Sequence, residues 1–438
     1  MDTVKQTAII SVLLMGLIVL SGDTAAVQDA QNGLRYQIDS YFTQLADSQS
    51  FSGAVLFVKD NNVVLRKGYG LANDAEGTAV TSETVFDIGS ISKQFTASGI
   101  LHLEMQGLLD VNDSITNFFN NVPIDKAGIT IHHLLTHSAG FTRDHFHGDL
   151  IPMTKEEALQ AIFAQELGFE PGAKYHYSNT GYTLLAMIIE EISGQSYTSF
   201  LRDGFFEPLG MSSTGFYGDT HWESLPVANA YFNGKDQGQP SEWPGPYWGV
   251  MGNGGIMSTV DDLYTWWQAL ENHTIVNEIQ TKKLLTRYIS EGGGSYYGYG
   301  WSLMDTALGP LITHNGGGIG GNSDFAVYTD QNLIIIIAGN RIVWRTLFNT
   351  IPYEIRLPAT EARQQIAENI ASGDFSKLPS ATLQLASILG IVIGALVVVS
   401  VIAILLFKSL RTRVGKSGLV NQGAGKAATE ADLADEGG

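Results

Sequence analysis

The stretch from Ala386 to Phe407 runs twenty-two residues without a charge, and no other segment limits the possible folds of this chain as strongly. With a rise of about 1.5 Å per residue, a helix of that length crosses the roughly 30 Å hydrocarbon layer with some tilt. Lys408, Arg411, Arg413 and Lys416 follow at once, and by the positive-inside tendency they put the C-terminal tail in the cytoplasm. A buried soluble helix is the competing reading, disfavoured by the one-sided basic flank. The expected organisation therefore has a transmembrane helix over residues 383–407 and a short cytoplasmic tail over 408–438. At the other end, Lys5 precedes the largely apolar run Ala8 to Leu20, and Thr24, Ala25 and Ala26 offer a cleavage site. Residues 1–26 read as a signal peptide, with an uncleaved anchor as the alternative. Residues 356–382 read as a stalk, helical in its middle from Glu361 to Ile370. The folded domain, residues 30–355, is then expected outside the cytoplasm.

Composition narrows the chemistry. The net charge is −19, from 44 acidic and 25 basic residues. A phosphate-backbone partner needs clustered Lys and Arg, so nucleic acid is excluded as the expected ligand. The chain has no cysteine, which removes disulfides, Cys-based zinc sites and a thiol nucleophile.

Ser52 to Val58 and Val63 to Gly70 flank the polar turn Asp60-Asn61-Asn62, and Phe325 to Tyr328 and Leu333 to Gly339 flank Asp330-Gln331-Asn332. Both pairs read as hairpins. Leu333 to Ile337 is uniformly apolar, as in a strand covered on both faces. Between the hairpins, Ile91 to Gln106 and Tyr182 to Ile192 carry helical periodicity and stop at Gly107 and Gly194. The expected class is α/β: an antiparallel sheet built from both ends of the domain, flanked by helices, with a helical region inserted in the middle. A cleft is expected where the two parts meet.

Three motifs carry chemistry. Ser90 and Lys93 form the chain's one Ser-x-x-Lys, at the start of a predicted helix. Spacing i, i+3 puts hydroxyl and amine on one face. Lysine serves as base to a serine nucleophile if desolvation lowers its pKa. Alone, the tetrapeptide is equally a Ser N-cap beside a solvated lysine. Tyr177-Ser178-Asn179 precedes another helix. A phenol close to lysine loses its proton more readily, which would let Tyr177 act as general base or acid. Asn179 could accept from Lys93 and donate to a substrate carbonyl. Tyr231-Phe232-Asn233 competes for this role but lies in a polar turn. His314-Asn315-Gly316-Gly317 precedes the second hairpin. Its glycines permit close approach to a strand, and the Gly317 N–H could join that of Ser90 in an oxyanion hole. The alternative for this segment is a flexible turn beside a surface histidine.

In this order the three motifs resemble those of the class C β-lactamases and the related D-alanyl-D-alanine carboxypeptidases, D-aminopeptidases and esterases. Leu134 to Gly140, Glu170-Pro171-Gly172, Gly254 to Ser258 and Tyr299-Gly300-Trp301 are similar to recurrent segments of that family. The resemblance spans roughly residues 35–350 and implies a β-lactamase/transpeptidase-like fold. It implies Ser90 as the acylated nucleophile, with Lys93 and Tyr177 sharing proton transfer. It also implies Asn179, His314, Gly316 and Gly317 as groups that bind or orient substrate. The family's lactamases carry Lys-Thr-Gly where this chain has His-Asn-Gly, so a permanent positive charge for a substrate carboxylate is lost.

The sequence thus predicts a membrane-anchored, extracytoplasmic serine hydrolase. It would act through an acyl-enzyme on a small-molecule or peptide substrate: cell-wall or D-amino-acid peptides, small esters or β-lactams. No metal and no organic cofactor is called for. A penicillin-binding or sensor protein using the same cleft without turnover is the alternative. No His-Glu-x-x-His and no Gly-x-Ser-x-Gly occurs. His145-Phe146-His147, near Asp144 and Asp149, reads as a polar loop in preference to a metal-binding turn. His102, His137 and His176 read as non-catalytic.

Overall fold

Asp60 and Asn61 both adopt positive φ, 50° and 61°. A two-residue turn between right-twisted strands requires this, and Asp and Asn tolerate it. They close a hairpin of β1 (Gly53–Lys59) and β2 (Asn62–Tyr69), which follows helix α1 over residues 32–47. The structure is a computed structural model and describes residues 32–219, 221–222, 225–347, 351–356 and 358–372.

From β2 the chain enters the inserted region, where α2 (Ser92–Met105), α3 (Asn179–Ser193) and α4 (Val260–Glu271) are the main helices. Gly194 ends α3 in the left-handed conformation, φ 69°, as the sequence predicts. The chain then returns through β3 (Ile289–Gly292), β4 (Ser295–Tyr297), β5 (Ser302–Thr306), β6 (Gly309–Gly317), β7 (Asn322–Tyr328) and β8 (Leu333–Gly339). One antiparallel sheet results, in the order β3-β4-β5-β6-β7-β8-β1-β2. Strand β8 joins the two ends of the domain, with Gly339 opposite Gly53 and Leu333 opposite Lys59. The whole of β8 is buried.

Both sheet faces are covered, and β7 shows by what. Successive side chains point to opposite faces. The Phe325 ring packs against Trp267 of α4 and against Trp301 (centroids 6.3 and 5.4 Å). Its neighbour Asp324 pairs on the opposite face with Arg363 (2.9 Å) of a C-terminal helix, α5 (Pro358–Ser372).

That contact corrects the expected stalk. The helical middle is present, but Ala359, Ala362, Arg363 and Ile366 of α5 are buried, and Ala359 N donates to Asn322 Oδ1 (2.7 Å). Residues 358–372 complete the sheet's cover because they bring apolar surface and a cation to a buried carboxylate. The expected signal peptide (1–26), the span (383–407), the tail (408–438) and residues 373–382 of the stalk lie outside the described residues. Among the described residues, no helix is long and apolar enough to cross a membrane.

Candidate active site

A small sheet aims the nucleophile. Phe86–Asp87 pairs with Ile256–Ser258, and Ile88 N donates to Ile256 O (3.1 Å). The chain then makes a 3₁₀ turn, Gly89–Ile91, into α2. Gly89 has φ +51°, and a Cβ there would lie 2.7 Å from Gly317 N. At Gly316 a Cβ would lie 2.0 Å from Ile88 O. Only glycine lets β6 pass this close, and Ser323 Oγ clasps the same carbonyl at 2.7 Å. The close passage of Gly89 against Gly317 sets the Gly317 N–H beside the Ser90 backbone, as an oxyanion hole requires. The glycines were expected to admit substrate to the strand. Gly316 instead admits the nucleophile's own backbone.

Lys93, one helical turn after Ser90, is fully buried. Its Nζ lies 3.0 Å from Ser90 Oγ, 2.9 Å from Asn179 Oδ1 and 2.7 Å from Asn253 O. Burial pushes its pKa well below 10.5, against an upward pull from Asp144 and Asp149. The partners define what the neutral amine does. Asn253 O can only accept. Asn179 Oδ1 also accepts, its amide turned by Nδ2 donating to Asp144 Oδ1 (3.2 Å). Two N–H bonds of a neutral amine are thereby used, and the lone pair is left for the Ser90 hydroxyl.

Tyr177 is the last residue but one before α3. Its ring stands 4.9 Å from Lys93 Nζ, and its hydroxyl end reaches the desolvated floor beside Ser90 while the rest of the residue is open to the cleft. Burial raises its pKa, with a hydrogen bond to Ser90 pulling the other way. The expectation that a nearby lysine would ease its deprotonation is opposed by burial, which raises the Tyr177 pKa and at the same time disfavours the charged form of Lys93. Tyr177 rests as a phenol, able to donate. Tyr231 is placed elsewhere, its hydroxyl accepting from Asp74 N (2.8 Å).

His314 is buried on β6, not a surface residue. Its Nδ1 lies 2.6 Å from Asn315 O and its Nε2 2.9 Å from Tyr297 Oη. A carbonyl cannot donate, so Nδ1 carries the proton and Nε2 accepts from Tyr297. Burial and then the nearby Lys93 lower its pKa to about 3, against the bond to Asn315. It is neutral, as expected, but both nitrogens face protein. It sits behind Tyr177 (centroids 6.4 Å) as support for the site wall.

Several site groups escaped the sequence reading. His137, at φ 56°, accepts from Ser178 N (3.1 Å) and packs its ring against that of Tyr177 (centroids 4.4 Å, tilted by 39°), which positions the phenol. No group of three or more His, Asp and Glu side chains placed to hold a metal occurs among the described residues. His145 is buried against Thr180 Oγ1 and Trp248 O (3.3 and 3.2 Å), and this anchors Asp144 and Asp149 at the site. Asp87 is buried and accepts from Gly89 N (2.8 Å). A cavity of about 50 Å³ adjoins Ser90, bounded by Asp87, Asp149, Asn179, Tyr217 and Gly318. A larger hollow, about 590 Å³, beside Arg202, Met211 and His221 contains none of this machinery.

The family model described as Beta-lactamase matches the chain over residues 38–358. The chain belongs to that family. It is a serine hydrolase of the β-lactamase and penicillin-binding-protein type. Penicillin-binding protein 4* of Bacillus subtilis is 27% identical over 339 residues, covering 70% of this chain and 72% of that protein. Protein flp of Staphylococcus aureus is 28% identical over 324 residues, covering 70% and 64%. Among solved structures, the octameric penicillin-binding protein homologue from Pyrococcus abyssi superposes with TM-score 0.61 at 29% identity, covering 69% of this chain and 72% of that one. The D-amino acid amidase from Ochrobactrum anthropi SV3, at 22% identity and TM-score 0.64, shares the fold over 77% of this chain and 99% of its own.

Proposed function

We propose that this family member hydrolyses amides or esters through a Ser90 acyl-enzyme, on the outer side of a membrane to which residues 383–407 tether it. The observation that carries the chemistry is the Lys93 hydrogen-bond set. Two acceptors hold Nζ so that, when neutral, its lone pair faces Ser90 Oγ at 3.0 Å. Lys93 takes the serine proton as Oγ attacks the carbonyl carbon, and the Ser90 and Gly317 N–H groups receive the oxyanion. The proton passes to the leaving nitrogen or oxygen, directly or through Tyr177, as the C–N or C–O bond breaks. Water then adds to the acyl carbon, gives its proton to the same base, and the C–Oγ bond breaks to release the acid and restore the serine. The tether rests on the sequence pattern: a charge-free run followed by four basic residues.

The test is intact-mass spectrometry of the full chain with a fluorophosphonate, a penicillin and a p-nitrophenyl ester, beside Ser90→Ala. Serine-dependent adducts with release of p-nitrophenol are expected. Absence of any adduct on folded protein would replace this reading with a binding or sensor role.

A further inference from the structure

Three consecutive carbonyls just before Gly254 each accept from a buried side chain. Met251 O accepts from Thr183 Oγ1 (2.9 Å), Gly252 O from Thr96 Oγ1 (2.6 Å) and Asn253 O from Lys93 Nζ (2.7 Å). The donors stand on the two helices that build the site: Lys93 and Thr96 on α2, and Thr183 on α3, one turn after Asn179. Thr96 and Thr183 are fully buried, and Asn253 is 4% exposed. The turn answers with its own side chain. Asn253 Nδ2 donates to Thr183 Oγ1 (2.9 Å) and to Gly249 O (3.1 Å). Thr183 thus gives its proton to Met251 O and a lone pair to Asn253, so one hydroxyl holds the turn at two points. Thr96 is fixed in the same way: its proton goes to Gly252 O, which leaves Tyr197 Oη (2.7 Å) as the donor to it. The turn is also packed tightly on α3. Gly252 has φ +80°, and a Cβ there would lie 2.5 Å from Tyr182 O and 2.7 Å from Ala186 Cβ.

We propose that Thr183 and the Asn253 side chain are positioning residues for acylation: their contact fixes the turn so that Asn253 O faces Lys93 Nζ. The inference rests on the acyl-enzyme reading and adds two side chains that act through the turn, not on the reacting atoms. Asn179 Oδ1 and Asn253 O are the two acceptors that leave the lone pair of neutral Lys93 for the serine proton. Asn179 is placed by its own helix. Asn253 O belongs to an irregular turn, and Thr183 ties that turn to the helix that carries Asn179. Both acceptors are thereby referred to one rigid element. Were Asn253 O to swing away, one N–H of the amine would be released. The amine could then donate to Ser90 Oγ instead of accepting from it, and an amine bound in that sense does not activate the nucleophile. Valine in place of Thr183 keeps the shape and removes the hydroxyl, leaving Met251 O and the Asn253 amide each short of a partner.

The test follows p-nitrophenyl acetate bursts in the full-length protein with Thr183→Val, Thr183→Ser, Asn253→Ala and the double variant Thr183→Val/Asn253→Ala. Thr183→Val and Asn253→Ala are each expected to slow acylation on the order of 10–10²-fold, the worth of a misplacement near an ångström. The acid limb of the rate is the second readout. A carbonyl holds an ammonium more strongly than a neutral amine, so withdrawing Asn253 O moves the limb to lower pH. The groups that face Lys93, namely Asp144, Asp149, Tyr177, Tyr182, His137 and His314, are the same in every variant. Thr183→Ser keeps the hydroxyl and is expected to restore both rate and limb. The double variant is expected to be no slower than the worse single one, since both changes break one contact. A folded Thr183→Val with the wild-type rate would overturn the clasp. So would a slowed variant whose limb stays or moves up, or losses that multiply in the double variant. Asn253→Ala decides the matter if Thr183→Val fails to fold. A wild-type chain without a Ser90-dependent burst removes the acyl-enzyme reading as well, whereas a burst that these variants leave unchanged removes the clasp alone.

Discussion

Lys93 Nζ lies 3.0 Å from Ser90 Oγ, and among the described residues no carboxylate stands within ion-pair distance of it. Its other partners, Asn179 Oδ1 and Asn253 O, are neutral acceptors. Burial thus meets no contact charge to counter it, and the amine's pKa falls well below 10.5. Acylation needs the deprotonated amine, so its rate should fall as pH drops through that lowered pKa and level off above it. Lys93→Ala should slow serine labelling by on the order of 10²–10⁴-fold, the usual worth of a positioned base. Lys93→Arg should do no better, since a guanidinium does not lose its proton. Stopped-flow p-nitrophenol bursts from pH 5 to 10 measure both.

Gly316→Ala puts a methyl 2.0 Å from Ile88 O, against backbone that Ser323 also holds. Neither side is a flexible side chain, so the strand or the nucleophile turn must move. Overpacking of this kind costs about 1–3 kcal/mol. We expect a lower denaturation midpoint in urea together with a lower acylation rate, because the shift separates Gly317 N–H from Ser90. A stable variant with normal acylation would show that β6 does not set the oxyanion hole.

His314 has no free nitrogen for substrate. Its pKa, lowered to about 3 from 6.5 by burial, leaves no imidazolium to titrate in the working range. The activity profile between pH 5 and 8 should carry no step from it, and His314→Asn should not remove one. For stability the sign is fixed by proton binding. The unfolded state binds the proton below about 6.5 and the folded state only near 3, so stability falls as pH drops across that window. Tyr297→Phe withdraws the donor to Nε2 and leaves a buried acceptor unpaired, at about 1–3 kcal/mol. His314→Lys buries an ammonium in this place, and we expect lost stability in thermal melts rather than better carboxylate binding.

What was legible and what was not follows from distance along the chain. Ser90 and Lys93 meet within one helical turn, so their spacing reported the geometry. Tyr177 and Asn179 are as local, and the uniform apolarity of Leu333 to Ile337 announced a buried strand. The acids were hidden because topology, not spacing, brings them in: Asp149 meets Ile319 across 170 positions. In sequence it is one more charge in a polar loop. His314 was expected to face substrate because the residue that occupies its Nε2, Tyr297, lies two strands away across β5. Lys93 and Tyr177 were paired correctly, but which of them holds the proton depends on desolvation, and sequence does not carry that.

Arg363 is the clearest case of a surface-looking residue that is not one. It lies in a polar helix, yet it is buried with its Nε 2.9 Å from the fully buried Asp324 and a guanidinium nitrogen 3.2 Å from Tyr328 Oη. The pair holds α5 on the face of the sheet opposite Trp267. Removing one partner leaves an uncompensated buried charge, which costs about 3–5 kcal/mol. Arg363→Met should therefore destabilise strongly, and Arg363→Met with Asp324→Leu should recover much of the loss, because hydrophobic replacement of a buried pair is often neutral or better. A chain ending at residue 357 should melt lower than one ending at 375, since it exposes that sheet face. Differential scanning calorimetry separates the outcomes: equal melting of the two lengths would return residues 358–372 to the role of a stalk.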